Sequence, residues 1–187
     1  MLIETFLKRA VAWCTQRPPV VACFYAVRDL PYALDGAHDA HGLLQQGRGD
    51  CLAKSELMRL AASQLDIPAR YVCWLYALPD VVPEVADLPS RLDVHRAVQV
   101  HIDGTWVLAD ATHHGALRDT PLIVSDWDGR HDTEQAYRPV GPVAVADDAD
   151  GAAEHAREQV RLWTASCPTE VLARWRSAYV AWLRQYE

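Results

Sequence analysis

The sequence predicts an α+β fold in which helices pack on a short antiparallel sheet, and three residue patterns carry this prediction. Apolar residues follow Cys51 at the spacing of a helix with one buried face, at Leu57, Leu60, Ala61 and Leu65. Two alternating segments flank Asp103-Gly104, a dipeptide that favours the two-residue turn of a β-hairpin. A C-terminal apolar stripe is expected to pack on the domain and consists of Val171, Leu172, Trp175, Tyr179, Trp182 and Tyr186.

The remaining elements are predicted from chain breakers and local composition. We expect further helices at 3–16, 151–165 and 169–186, the first of them ended by Pro18-Pro19. The turn from Gly47 to Asp50 precedes a helix over 51–65, with Asp50 as its N-cap and Ile67-Pro68 at its end. Strands are expected at 69–78 and 121–127, whereas 20–27 fits either a short helix or a strand. Irregular segments are expected at 31–42, 79–92 and 139–150.

The hairpin turn determines which side chains share a face. With Ile102 opposite Thr105, every opposed pair follows, and the side chains of opposed residues lie on the same face. One face is aliphatic, as a surface toward the core should be, with Val98, Val100, Ile102, Val107 and Ala109. The other face carries His95, Ala97, Gln99, His101, Trp106, Leu108 and Asp110. His95 and Asp110 are therefore expected to be diagonal neighbours.

Cys51 is expected at the first position of its helix, where the positive end of the helix dipole favours a thiolate. The dipole contributes about 0.3–1 kcal/mol, which is too little to make a thiolate predominate at neutral pH. A neighbouring imidazolium that is itself held by a carboxylate is the natural additional source of stabilisation. Cys51, His95 and Asp110 thus form a candidate catalytic triad.

Three blocks of the sequence resemble the transglutaminase-like superfamily of papain-type thiol enzymes. They are Gly49-Asp50-Cys51, the run from Ile67 to Val72, and the run from His95 to Thr112, within residues 45–115. The resemblance implies a papain/transglutaminase-like core, with Cys51 as nucleophile, His95 as general base and Asp110 as the carboxylate that orients the base. Arg96-Ala97 departs from the family, which often has a small and then an aromatic residue after the histidine.

Structural roles are alternatives for the same residues. Cys51 also fits a small buried side chain, His95 a satisfied strand histidine, and Asp110 a residue that ends a strand and caps the next turn. The other cysteines have apolar neighbours and are expected to be buried free thiols, namely Cys14, Cys23, Cys73 and Cys167. His101, His113 and His114 lack the spacing of metal ligands, so we expect surface or cleft-rim histidines, no calcium loop, and no metal or other cofactor.

Attack on a carbonyl requires hydrogen-bond donors for the developing oxyanion. The backbone N–H of Cys51 is one candidate, and the side chain of Gln45 or Gln46 is a second. Candidate walls of the substrate cleft are the aromatic residues Trp74, Tyr76 and Trp106. Aromatic residues in strands more often belong to the core, but the hairpin register puts Trp106 on the His95 face.

Length and charge favour a single domain over 1–187 and exclude several classes of partner. Half of the 187 residues are hydrophobic, and no run is long enough to span a membrane. The net charge of -7 argues against nucleic-acid binding, which usually requires a basic face. Charges interrupt the N-terminal segment, which does not fit a secretion signal, so the five cysteines favour a reducing cytoplasm. Arginine in place of lysine, with abundant alanine, suggests a GC-rich bacterial genome.

These patterns predict a thiol enzyme that acts on a peptide, amide or small-molecule acyl substrate. Its acyl-enzyme intermediate would pass to water or to an amine, as in a cysteine protease, an amidase or a transglutaminase-like acyltransferase. A catalytically silent binding or scaffolding module of the same fold is the first alternative, and a metal-dependent hydrolase that uses the histidines is the second. The pattern favours no particular oligomeric state.

Overall fold

The computed structural model describes residues 2–13, 16–145 and 151–187. Within these residues the α-helices are α1 (Leu2–Trp13), α2 (Pro19–Arg28), α3 (Ala40–Gln46), α4 (Cys51–Gln64), α5 (Gly151–Ser166) and α6 (Thr169–Leu183). The strands are β1 (Tyr32–Ala37), β2 (Ala69–Ala77), β3 (Leu92–Ile102), β4 (Thr105–Ala109) and β5 (Ala144–Val145). Short 3₁₀ turns occupy Pro83–Asp87, Gly115–Leu117 and Arg184–Tyr186.

Strands β2 to β5 form an antiparallel sheet in the order β4-β3-β2-β5. In the hairpin Ile102 pairs with Thr105, which confirms the register expected from the Asp103-Gly104 turn. Asp103 and Gly104 have φ angles of 50° and 83°, as the two central positions of such a turn require. Because this turn is local, its residues determine the register of the two strands without help from the rest of the chain.

The sheet is the middle layer between two apolar clusters. On the aliphatic face, Val98 and Val100 pack with residues of α4 that include Leu57 and Met58. On the opposite face, aromatic residues of β2 pack with α6, of which Trp175, Tyr179 and Leu183 are buried. The apolar stripe of α6 therefore packs on the domain, as its spacing predicts.

The start of α4 is held by a close approach of two backbones. Gly49 forms parallel bridges with Tyr32 and Ala37, at the two ends of β1. A Cβ on Gly49 would lie 2.8 Å from the carbonyl oxygen of Ala37, and a Cβ on Gly36 would lie 2.8 Å from that of Arg48. Only glycine permits this contact, so the two glycines let β1 fix the point at which Cys51 enters the helix.

Most predicted elements are confirmed. Helices α1, α4, α5 and α6 and strand β2 lie where expected, and 20–27 is helical because Pro18-Pro19 stands at the N terminus of α2, where proline is tolerated. The loop predicted over 31–42 is wrong, since it contains β1 and the start of α3. In the segment 139–150, β5 interrupts the expected loop, and 146–150 lie outside the described residues, as does Cys14.

The strand predicted over 121–127 is also wrong. This segment has no ladder partner in the described chain, and side chains satisfy much of its backbone instead. His113 binds the carbonyl of Ile123 at 2.8 Å, and the hydroxyl of Tyr25 accepts from Trp127 N at 3.1 Å. Strand-like composition therefore does not lead to a strand here. None of the described helices is long and apolar enough to cross a membrane.

Candidate active site

Cys51 is the first residue of α4 and is partly exposed. Asp50 caps the helix as predicted, because its Oδ1 accepts a hydrogen bond from Ala53 N at 3.0 Å. Its other oxygen, Oδ2, lies 2.6 Å from Nδ1 of His38. The first N–H groups of a helix have no intrahelical partner, so the sulfur lies beside unpaired donors and the positive end of the dipole.

His95 and Asp110 meet as the hairpin register predicts. Nε2 of His95 lies 3.0 Å from Oδ2 of Asp110, and both side chains are completely buried. Asp110 also accepts hydrogen bonds from Thr112 Oγ1 at 2.7 Å and from Ala136 N at 2.8 Å. The carboxylate is thus fixed from three directions, and it orients the imidazole through one ring nitrogen.

The charges of this pair stabilise each other. Burial opposes protonation of His95, but the charge and hydrogen bond of Asp110, together with the Cys51 side chain, outweigh it and raise the pKa of His95 to about 10. Burial likewise opposes ionisation of Asp110, but His95, Thr112 and Ala136 hold the pKa of its carboxyl below the usual value. At neutral pH the pair is therefore an imidazolium and a carboxylate.

The second ring nitrogen of His95 is available to the sulfur. Nδ1 is buried and has no hydrogen-bond partner in the part of the chain that the structure describes. The Cys51 side chain nevertheless raises the pKa of His95 through both hydrogen bonding and charge. Nε2 is held by Asp110, so Nδ1 is the ring nitrogen left free to exchange a proton with the sulfur. Cys51 thus lies close enough to the buried His95–Asp110 pair to affect its charge.

The sequence profile of the Transglutaminase-like superfamily matches residues 14–111, more than half of the chain, including Cys51, His95 and Asp110. The chain belongs to this superfamily. The resemblance noted in the sequence is therefore confirmed, as is the α+β fold class. The matched part, which we call the transglutaminase-like core, ends before α5 and α6.

Two solved structures resemble the chain in fold. One, described as a TGase, is 17% identical with a TM-score of 0.44, and the match covers 62% of this chain and 32% of that chain. The other, described as a candidate cysteine protease from Cytophaga hutchinsonii, is 19% identical with a TM-score of 0.44, and the match covers 79% of this chain and 53% of that chain. The matches thus span about a third and about half of these two proteins. No curated protein matches the chain in sequence.

Aromatic rings enclose the imidazole. The ring centroid of His95 lies 4.7 Å from Trp74, 5.1 Å from Tyr137 and 6.2 Å from Tyr76. Trp74 Nε1 donates to the carbonyl of Tyr137 at 2.8 Å. Trp74 and Tyr76, which were expected as cleft walls, are buried against the imidazole. Tyr137 comes from an irregular segment with no periodicity, so the sequence carried no signal for it.

A groove of about 540 Å³ opens next to the helix start. Its lining comes from the β1–α4 region, β3 and α6, namely Leu34, Asp35, His38, Asp50, Asp93, Trp175, Arg176, Ser177 and Val180. Asp93 lies two residues before His95, and burial raises the pKa of its carboxyl while the hydroxyl of Tyr76 stands 3.4 Å away. Asp50, which lines this groove, directly precedes Cys51 in the sequence.

The other predicted substrate contacts lie elsewhere. Gln45 is exposed and its Nε2 pairs with His41 at 3.0 Å, and Gln46 is exposed at the end of α3. Trp106 lies on the His95 face, but its partner His101 is six residues farther along β3, which is about 20 Å. There its ring lies tilted against that of His101, with centroids 5.0 Å apart, and the Arg70 guanidinium lies over it. Trp106 therefore does not form a wall of the cleft at Cys51.

Of the three histidines expected at the surface or cleft rim, two are buried instead. His113 and His114 are buried, because the loop after β4 turns into the core. Burial lowers the pKa of His113 to about 3, and its Nδ1 binds the carbonyl of Ile123. His114 joins Tyr32 N at 3.1 Å to the carbonyl of Tyr186 at 3.0 Å. Among the described residues no group of side chains could hold a metal ion.

Lys54 and Arg96 support the site; Lys54 was not singled out in the sequence, and Arg96 was noted only as a departure from the family. Lys54, one turn after Cys51, is fully buried, and its Nζ donates to the carbonyls of Arg28, Leu30 and Thr112 at 2.6–2.9 Å. Burial lowers its pKa to about 7. Arg96 donates to the carbonyl of Leu52 at 2.6 Å and to Ser55 Oγ at 2.9 Å. The departure from the family at Arg96 therefore ties the strand of His95 to the first turn of α4.

Proposed function

We propose that the protein is a thiol enzyme that transfers or hydrolyses acyl groups through Cys51, His95 and Asp110. One observation carries the proposal: a completely buried histidine is bound to a buried carboxylate at 3.0 Å, its other ring nitrogen is free, and the side chain of a cysteine at a helix start raises its pKa. A scaffold gains nothing from this arrangement, because burying an imidazole and a carboxylate is costly unless their charges are used.

The reaction follows from the chemistry of the three groups. The Cys51 thiolate attacks the carbonyl carbon of an amide, peptide or thioester, and the imidazolium of His95 gives its proton to the leaving group. Asp110 holds the imidazole in position and stabilises its charge. The acyl group then passes from Cys51 to water or to an amine, with His95 accepting the proton of the attacking molecule. Membership of the superfamily supports this chemistry, and the groove beside Asp50 supports an extended or small-molecule acyl substrate.

Selective alkylation tests the proposal. With limiting iodoacetamide at pH 7, mass spectrometry should find carbamidomethyl groups at Cys51 well before any other cysteine. Cys23 is an internal control, because burial raises the pKa of its thiol to about 11. The variants His95→Gln and Asp110→Asn should slow labelling of Cys51 without affecting Cys23. Slow and uniform labelling of all cysteines, with no acyl-enzyme formed from p-nitrophenyl acetate, would instead support the scaffolding alternative.

A further inference from the structure

An arginine in the groove beside Asp50 has no partner. Helix α6 contributes Arg176 to the lining of this groove, and the side chain of Arg176 is exposed. In the part of the chain that the structure describes, its guanidinium makes no hydrogen bond and no ion pair. Asp50 belongs to the same lining and directly precedes Cys51. An acyl substrate of Cys51 that occupies the groove therefore meets a free positive charge.

The other arginines of the C-terminal segment are paired. Arg174, two residues earlier on α6, binds Asp87 at 2.6 Å. Arg184, directly after α6, binds Asp35 at 2.6 Å. Within the described segment 169–187, Arg176 is thus the one arginine without a carboxylate partner. A guanidinium presents a planar fork of N–H donors that matches a carboxylate, so Arg176 is suited to bind one that the chain itself does not supply.

The carboxylates that line the groove are engaged elsewhere. Asp35 is paired with two arginines, one of them Arg184. Asp50 lies 2.6 Å from His38 and caps α4. Asp93 interacts with Arg176 by charge, but its oxygens accept from a backbone N–H at 2.7 Å and stand 3.4 Å from a tyrosine hydroxyl. Burial also raises the pKa of Asp93, which makes it a poorer counter-ion. The charge of Arg176 therefore stays uncompensated.

A free guanidinium in this groove indicates the charge of the substrate. If the protein is a thiol enzyme as proposed above, we infer that its acyl substrate bears a carboxylate, which Arg176 binds while Cys51 attacks the acyl carbon. Arg176 is then a specificity-determining residue from a helix outside the transglutaminase-like core. No proton and no electron pair moves at Arg176. Because the whole chain carries a net charge of -7, an anionic substrate is attracted by this local cation and not by the protein as a whole.

Matched esters isolate the effect of the carboxylate. The probes are the mono-p-nitrophenyl esters of linear dicarboxylic acids from adipic to sebacic acid, each compared with its neutral methyl ester. Release of p-nitrophenolate gives kcat/KM for acylation of Cys51, after subtraction of the reaction without protein. The range of chain lengths allows for the distance between the sulfur and the guanidinium. A burst from p-nitrophenyl acetate, which is uncharged, reports the thiol chemistry by itself.

We expect the wild-type protein to prefer at least one acid over its methyl ester by about tenfold in kcat/KM, mainly through a lower KM. Arg176→Gln should bring this ratio close to one, and Arg176→Glu should reverse it. Salt at about 0.5 M should weaken the preference, because the guanidinium is exposed. Since Arg176 has no partner to lose, both variants should keep the wild-type thermal midpoint.

Arg174→Gln is the matched control. Arg174 is exposed on the same helix and carries the same charge, but it does not line the groove. Its removal costs one surface ion pair, which contributes little to stability. Arg174→Gln should therefore keep the wild-type ratio of acid to methyl ester.

Other outcomes would overturn the inference. A wild-type ratio near one at every chain length would exclude recognition of a carboxylate, while a burst from p-nitrophenyl acetate would leave the thiol function intact. An unchanged ratio in Arg176→Gln would assign the preference to another cation. An equal loss in Arg174→Gln would show an effect of net charge alone. A wild-type protein without a burst from any ester would overturn the proposed thiol chemistry, and the inference with it.

Discussion

Replacing Asp110 by asparagine removes the charge that keeps His95 protonated. The imidazole is completely buried, and burial alone favours its neutral form. The rise of its pKa from 6.5 to about 10 corresponds to about 5 kcal/mol in favour of the imidazolium. Asp110 contributes both a charge and a hydrogen bond at 3.0 Å. We expect Asp110→Asn to lower the pKa of His95 by about 1–3 units and the acylation rate at pH 7 by about 10²- to 10⁴-fold.

The titration can be read directly from the imidazole. NMR of the protein with ¹⁵N-labelled histidine gives the pKa of His95, once the signal is assigned by its loss in His95→Gln. Asp93→Asn is a matched control, because Asp93 lies two residues earlier on β3 and interacts with His95 by charge but not by a hydrogen bond. Its effect on the pKa should be much smaller. The reasoning is refuted if His95 still titrates near pH 10 in Asp110→Asn, or if both variants move it equally.

Three further variants test residues that surround the candidate site and hold its elements in place. Lys54→Met removes the lysine donor from two buried carbonyls and one partly buried carbonyl, and should lower the free energy of unfolding in urea by about 3–5 kcal/mol. Exposed Lys8→Met should leave it nearly unchanged, and equal effects would contradict this reasoning. Gly49→Ala puts a Cβ 2.8 Å from the carbonyl oxygen of Ala37 in β1 and should slow acylation. Gly115→Ala, where the nearest atom to the added Cβ is 3.8 Å away, should not slow it. Normal acylation in Gly49→Ala would show that β1 can move away without disturbing the site. Unfolded chains bind a proton at His113 below about pH 6.5, whereas the folded protein binds one only near pH 3. The free energy of unfolding should therefore fall as the pH drops through this range, by about 2 kcal/mol between pH 6.5 and 5. His113→Asn should remove that part of the loss in urea titrations, and an unchanged pH dependence would exclude His113 as its cause.

The parts of the site that the sequence predicts are those set by local geometry. A two-residue turn determines the pairing of its own strands, so the meeting of His95 and Asp110 followed from the Asp103-Gly104 dipeptide. The N-cap of α4 followed in the same way from Asp50. Both features depend on residues close in sequence, and no distant contact was needed to predict them.

The parts that the sequence does not predict depend on contacts between distant segments. Tyr137 meets His95 from an irregular segment, and α6 packs on the cluster around Trp74 and Tyr76, although its apolar stripe predicted packing but no partner. β1 exists because Gly49 approaches it closely, which local propensity cannot show. In 121–127 the composition was misleading, since side chains from other segments satisfy the backbone there.

Two hydrogen bonds connect the three elements that carry the candidate triad. Arg96, next to His95, binds the carbonyl of Leu52, next to Cys51, so the strand of the base is tied to the helix of the nucleophile. Lys54, one turn into that helix, binds the carbonyl of Thr112, two residues after Asp110. A shift of α4 would therefore move the sulfur, the imidazole and the carboxylate together. Because acyl transfer tolerates little error in the positions of reacting groups, such ties preserve relative geometry even when the elements move.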